Sequence, residues 1–414
     1  MDIEYIKKIF FDTKELFTAQ FLIAMLSLIQ VSYVVKQLGA ENYGAITLFI
    51  TFTSLFYRGL HSKNSDVVLI ALNKENKNIF SAALLFDFIV GLIALTFCLT
   101  IYFTPYIAKF DIQDLVVYFF FYLVCRVILN FSETSKAILI NSGKLKLLSY
   151  MELSGTVIRF VIIISFIYTN PSIQNYLLGQ SLYMMLYGVL SAFLSRKQVV
   201  SEKYDVSISY KEYWHITKST YKKIRYDQII GLIPQHFDIL LLSAVTDLAT
   251  VGIYKFAKRL VEPINYIVAA FNPWIQNQYS SSKKIDFSNF VKKLLLPLSA
   301  LIILLFIFAG AQLILLIGSS EFVTAYEPLL ILAAGYIVYL LTFWIRQSLL
   351  FNDLITYHAY GRIIHSLIFV VLAFPLTNLY NSSGLALALS FAILFQKIYE
   401  YFVYKTKISP KSIK

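Results

Sequence analysis

The chain has 414 residues, of which 58% are hydrophobic and only 14% charged, and its mean hydropathy is +0.67. An ordinary soluble domain is ~45–50% apolar and ~25% charged, so this composition excludes one and points to lipid as the solvent. The net charge of +12 would suit nucleic acid in a soluble protein, but here the basic residues stand between apolar runs, which fits anionic lipid headgroups and argues against a nucleic-acid partner.

A helix rises 1.5 Å per residue and needs ~20 apolar residues to cross ~30 Å of hydrocarbon. The apolar runs are long and continuous, so strands are excluded and an all-α polytopic membrane protein is expected. In chain order the expected spans are 15–36, 43–62, 79–105, 115–136, 151–169, 173–194, 228–245, 249–272, 294–317, 326–349, 356–379 and 383–404. No small-residue cleavage site follows the mixed stretch Met1 to Lys14, so the first span is expected to act as an uncleaved insertion signal.

Charge gives an independent test of that map. Cytoplasmic short loops collect Lys and Arg. With the N-terminus inside, Lys7, Lys8, Lys14, Lys63, Lys74, Lys77, Lys136, Lys144, Lys146, Lys283, Lys284, Lys292, Lys293, Lys405, Lys407, Lys411 and Lys414 all fall on the cytoplasmic side, while the outside loops hold Lys36 and Lys109. Both termini are therefore expected in the cytoplasm. The longest polar connection carries Arg196, Lys197, Lys203, Lys211, Lys218, Lys222, Lys223 and Arg225. It divides the chain into an expected six-helix bundle at 1–194, a basic cytoplasmic linker at 195–227 lying on anionic lipid, and a second six-helix bundle at 228–414.

A weak internal repeat supports the same division. Leu38-Gly39-Ala40-Glu41-Asn42-Tyr43-Gly44 follows the first span, and Asp247-Leu248-Ala249-Thr250-Val251-Gly252-Ile253-Tyr254 follows the seventh. Each reads as a tight outside turn that opens the next helix. Six spans per half is an even number, so the halves are expected to share one orientation, as parallel repeats related by a pseudo-two-fold along the membrane normal.

At these turns the chain resembles the polysaccharide flippases of the multidrug/oligosaccharidyl-lipid/polysaccharide exporter superfamily. The first match is Gln37-Leu38-Gly39-Ala40-Glu41-Asn42-Tyr43-Gly44. A second runs from Asp238-Ile239-Leu240-Leu241-Leu242 through Val251-Gly252-Ile253-Tyr254 to Ala257-Lys258-Arg259-Leu260. Ile317-Gly318-Ser319-Ser320-Glu321-Phe322-Val323-Thr324-Ala325 is a third, and Tyr380-Asn381-Ser382-Ser383-Gly384-Leu385-Ala386-Leu387-Ala388 a looser fourth. The resemblance implies two six-helix bundles that translocate an isoprenoid-diphosphate-linked oligosaccharide, of the undecaprenyl-diphosphate type, by alternating access across a bacterial cytoplasmic (inner) membrane. It implies a role in O-antigen, capsule or related glycan synthesis, with membrane lipids and other glycan-assembly proteins as partners, no catalysis and no cofactor.

Ionisable groups at the bilayer centre are costly, so they normally face a cavity or a partner. Arg126 and Arg159 lie midway along spans four and five; Lys255, Lys258 and Arg259 lie in span eight; Arg58 is near the end of span two. Together these six are the candidates for a cationic cavity that receives a diphosphate, since the guanidinium fork binds phosphate oxygens in pairs and lysine acts as a point charge. Lys255, Arg259 and Glu262 share one helix face by spacing, and Lys258 and Glu262 are an expected i, i+4 pair. The acids Asp87, Glu133, Asp238 and Glu262 are candidates for ion or proton coupling, against a bland reading as static partners of the arginines. His236, two residues before Asp238, reads as structural. Cys98 and Cys125 fall inside apolar runs as free thiols, and no His/Cys spacing suits a metal. Pro234, Pro263 and Pro297 lie in or beside spans, where a helix can bend.

Three rival readings follow from the same residues. A major-facilitator protein would carry a Gly-Asp-Arg-rich loop where this chain reads Arg58-Gly59-Leu60-His61-Ser62-Lys63-Asn64. A cation-coupled small-molecule exporter of the same superfamily would need an acidic cavity. A membrane-embedded glycan polymerase or ligase would need a large outside loop, and the outside loops here are short.

Overall fold

The computed structural model describes residues 3–61, 64–75, 79–100, 115–142, 144–201, 209–280, 290–352 and 354–408. Helix is the regular structure throughout, with no strand among the described residues. The chain is an all-α, polytopic membrane protein. Among the described residues, eight helices are long and apolar enough to cross a membrane. Two of these are too long for one crossing. The stretches Phe21–Leu69 and Ile355–Lys407 have 49 and 53 residues, which at 1.5 Å per residue is more than twice ~30 Å. Each contains a break in helical geometry, at Gly39 (φ 73°) in the first and at Tyr380 and Asn381 (φ 49°) in the second, and so supplies two spans. The other two expected spans, 228–245 and 249–272, fall on helices whose charge content is high for a crossing segment.

The chain forms two compact units: unit I, Met1–Thr47 with Ile233–Lys414, and unit II, Leu48–Leu232. This division differs from the one drawn at 1–194, 195–227 and 228–414, because the first 47 residues pack with the second half of the sequence.

Unit II is built from the end of helix α1 (Ile3–His61), α2 (Asn64–Glu75), α3 (Phe80–Leu99), α4 (Val116–Leu129), α5 (Phe131–Asn141), α6 (Leu145–Thr169), α7 (Ile173–Ser201) and the start of α8 (Tyr210–Val245). The free thiols Cys98 and Cys125 are buried in α3 and α4. Residues 209–226, expected as linker, are mostly helix. Ser209-Tyr210-Lys211-Glu212 is a capping-box pattern, and the Ser209 hydroxyl accepts from Glu212 N at 3.3 Å. The apolar side of this segment packs on α3: Tyr213, Trp214 and Tyr221 all surround Phe86 at ring distances of 5.2–5.8 Å. The exposed side carries Lys211, Lys218 and Lys222.

Unit I contains the start of α1, the end of α8, α9 (Leu248–Val261), α10 (Pro263–Ser280), α11 (Leu296–Ile317), α12 (Tyr326–Thr342), α13 (Trp344–Phe351) and α14 (Ile355–Lys407). Pro263 opens α10, where a missing N–H is tolerated, and Pro297 sits where the π-helical turn Val291–Leu295 passes into α11. The side chain of Pro234 lies outside the described residues, as do Lys109, Lys283 and Lys284.

The two repeated turns meet each other in unit I. A Cβ on Gly44 would lie 1.8 Å from the Leu248 carbonyl oxygen, and one on Gly252 would lie 2.1 Å from that of Ala40. Glycine at both positions is what lets the two backbones touch. The third motif locks the same place: Glu321 Oε2 accepts from Ala40 N at 2.9 Å, and Lys36 donates to the Leu316 carbonyl at 2.6 Å. Three of the four motifs that carry the family resemblance therefore form one contact.

Candidate functional site

In unit II, α1, α4, α6 and α7 bring two of the mid-span arginines beside tyrosines. Tyr57 is buried, and its hydroxyl donates to the Leu123 carbonyl at 2.8 Å, which fixes the ring against α4 one turn before Arg126. The Arg126 guanidinium stands 5.8 Å from the centre of that ring and 3.9 Å from Met184 Sδ. Arg159, on α6, stands 6.0 Å from the ring of Tyr183, which stacks on Tyr187 at 5.7 Å. Both arginines and Lys136 act electrostatically on Tyr183, so the three cations share one neighbourhood. Lys136 pairs with Glu152 at 3.1 Å. No carboxylate lies within ion-pair distance of Arg126 among the described residues. Both arginines are half-buried, and a cation over a tyrosine face, as Arg126 is, is stabilised without a carboxylate.

The other unit II candidates lie apart from this pair. Asp87 is fully buried and is met by His61 at 2.8 Å, Asn64 at 2.5 Å and the Thr134 hydroxyl at 2.6 Å. It is a satisfied hub joining α1, α2, α3 and α5. Glu133 accepts from the hydroxyl and N–H of Ser65, at 3.1 and 3.4 Å. Arg58 is exposed.

Unit I treats its charges differently. Asp238, on α8, is fully buried and accepts from Lys258 at 2.5 Å, Tyr254 at 3.0 Å and the N–H of Ile239 at 2.8 Å. His236 is buried beside it but is not one of these donors. The pair expected between Lys258 and Glu262 is not formed. Helix α9 ends at Val261 and α10 begins at Pro263, so Glu262 sits at the break and pairs instead with Arg259, three residues back, at 2.5 Å. Lys258 turns inward to Asp238, because a buried carboxylate already held by two other donors is the stronger partner in a low dielectric. Lys255 is half-buried on the same helix and feels both Arg259 and Glu262. The structure thus brings Arg126 and Arg159 together in unit II, while Lys255, Lys258 and Arg259 belong to unit I.

Sequence reasoning passed over a further cluster in unit I, made by His358, His365, Gln396, Lys397 and Glu400. The rule that singled out Arg126 applies equally to Lys397 and Glu400, which fall inside the expected span 383–404. Among the described residues, no group of three or more His, Cys, Asp or Glu is placed to hold a metal ion.

No family model matches the chain, and no curated protein matches it in sequence. Solved structures do match its fold. One is the lipid II flippase MurJ in an inward-closed conformation, with a TM-score of 0.76 at 18% identity, covering 95% of this chain and 88% of that one. Another is an inward-facing multidrug resistance MATE family transporter of the MOP superfamily, with a TM-score of 0.73 at 14% identity, covering 96% and 99%. A third is a MOP superfamily transporter from Pyrococcus furiosus described by the reverse polarity of its binding pocket, with a TM-score of 0.59 at 15% identity, covering 97% and 93%. The chain has the fold of these membrane transporters and flippases.

Proposed function

We propose that the chain is a flippase that moves an isoprenoid-diphosphate-linked oligosaccharide across a bacterial cytoplasmic membrane by alternating access, supplying O-antigen- or capsule-type glycan synthesis, with both termini in the cytoplasm. The observation that carries this reading is the Arg126–Arg159 pair. A guanidinium deep in a bilayer is costly unless it serves a partner, and Arg126 stands over a tyrosine face, with Arg159 in the same neighbourhood. A diphosphate offers the oxygens such forks engage in pairs, and tyrosines beside it suit the first sugars. The fold likeness to a protein described as a lipid II flippase supports a lipid-linked substrate.

A cation exporter of the same fold would need an acid open to its substrate. Asp87 and Asp238 are instead held by donors on every side, which favours the diphosphate reading.

The test is surface-glycan display in cells that depend on this chain, with Arg126→Ala, Arg159→Ala and Arg159→Lys at matched protein abundance. Both alanine variants should lose display, and the lysine variant should recover part of it, because lysine keeps the charge but not the fork. Unchanged display in both alanine variants would defeat the proposal.

A further inference from the structure

Helix α14 reverses at Tyr380 and Asn381, and its two halves face each other across a polar network that diphosphate binding does not use. At the centre is Glu400, fully buried. Its Oε1 lies 2.8 Å from His358 Nδ1 and accepts from Gln396 Nε2 at 2.7 Å, while Oε2 accepts from Lys397 Nζ at 2.7 Å. The Gln396 amide oxygen lies 2.8 Å from His365 Nδ1. Gly361 makes room, since a Cβ there would stand 3.1 Å from Glu400 Oε1.

These partners fix the protons. An ionised carboxylate only accepts, so His358 carries hydrogen on Nδ1. The amide nitrogen of Gln396 is committed to Glu400, so its oxygen accepts, and His365 also carries hydrogen on Nδ1. His365 is 8% exposed, and its Nε2 is buried with no hydrogen-bond partner. Lys397 already balances Glu400, and His358 is the imidazole in direct contact with that carboxylate.

The surroundings choose the ligand. Lys397 stands over the Tyr339 ring at 5.3 Å. Arg346 of α13 acts on His358 and on Tyr339, and Arg362 acts on His365. Tyr336 of α12 acts on Tyr339 and is itself reached by Lys258 and Glu262 of α9. A lysine ammonium already occupies the carboxylate's second oxygen, which leaves no open shell there for a metal ion. A proton needs neither a vacant shell nor space. The His358 side chain is 14% exposed and Glu400 is closed off, so exchange runs through His358.

We propose that His358 and Glu400 form a proton-binding site: a proton adds at His358 Nε2, the Nδ1–H to Glu400 bond persists, and the carboxylate stabilises the imidazolium. In a second step that rests on the transport reading, this proton is the ion coupled to flipping.

The first arm of the test is nitrogen NMR of the full chain in detergent, with labelled histidine, His358 assigned through His358→Gln. His358 should gain a second proton as the pH is lowered. Glu400→Gln, which removes the stabilising anion, should move the midpoint about one unit or more to lower pH. His365→Gln should leave the His358 step in place. A His358 signal that does not titrate, or a midpoint unmoved by Glu400→Gln, overturns the site. The second arm measures glycan display against external pH, where Glu400→Gln should abolish the wild-type dependence. A pH-dependent wild type whose dependence survives in Glu400→Gln overturns the coupling role. Titration in a chain on which no glycan depends would leave the site standing and defeat the flippase reading; a glycan-dependent chain whose His358 stays silent would do the reverse.

Discussion

Units I and II both hold ionisable side chains at membrane depth, and both use carboxylate pairs, Lys136 with Glu152 at 3.1 Å being the one in unit II, but they differ at their arginines. In unit I, Lys258, Arg259 and Lys397 each sit on a carboxylate, at 2.5, 2.5 and 2.7 Å. In unit II, Arg126 and Arg159 rest on tyrosine rings at 5.8 and 6.0 Å. A cation on a carboxylate is committed to its ion pair; Arg126, on an aromatic face, is stabilised and still has donors to offer. On the proposed reading, unit I's pairs serve structure and ion exchange, and unit II's arginines serve the substrate.

The largest expected effect breaks a committed pair. Asp238→Asn strands Lys258 in the interior and should cost about 3–5 kcal/mol, read as a fall in the melting temperature of the detergent-solubilised chain. The double change Asp238→Leu with Lys258→Met should recover most of that loss, because a matched apolar pair removes both buried charges. Stability equal to wild type in Asp238→Asn would mean that the pair holds nothing.

Unit II should respond in function rather than stability. Arg126→Ala and Arg159→Ala should each weaken diphosphate binding by ~1.5–3 kcal/mol, the scale of a charged hydrogen bond, or roughly 10- to 150-fold, with little change in melting. The supporting ring is a smaller matter. Tyr183→Leu should cost about 0.5–2 kcal/mol of binding by removing the face beneath Arg159, and Tyr183→Phe should keep most of it. Isothermal titration of the two variants side by side separates ring from hydroxyl. Smallest of all is Arg259→Ala. Its side chain is 40% exposed and its ion pair with Glu262 is local, three residues along the chain, so its stability cost should fall within about 0–1 kcal/mol in a melting experiment.

Much of this is legible in the sequence alone. Long apolar runs mark the spans because hydrocarbon demands length, and the two glycine turns that meet at Gly44 and Gly252 are visible as a repeat. Mid-span arginines stand out for the same energetic reason. Partner choice is not legible, because it is set by which helices lie side by side. Lys258 has Glu262 at helical spacing, yet the break at Pro263 and the proximity of α8 give it Asp238, twenty residues away. His358 meets Glu400 across 42 positions, through a reversal that no local pattern links to them. The helix over 210–226 was hidden by its polarity, although Ser209 and Glu212 carry a cap signal.

The central claim is that unit II's arginines, and not Arg259, hold the diphosphate. Farnesyl diphosphate and farnesyl monophosphate, titrated into the purified full chain and its Arg126→Ala, Arg159→Ala and Arg259→Ala variants, test it directly. The account predicts that wild type and Arg259→Ala prefer the diphosphate alike, and that the two unit II variants lose that preference by roughly 10-fold or more. Equal binding in all four chains, or a loss confined to Arg259→Ala, would contradict it.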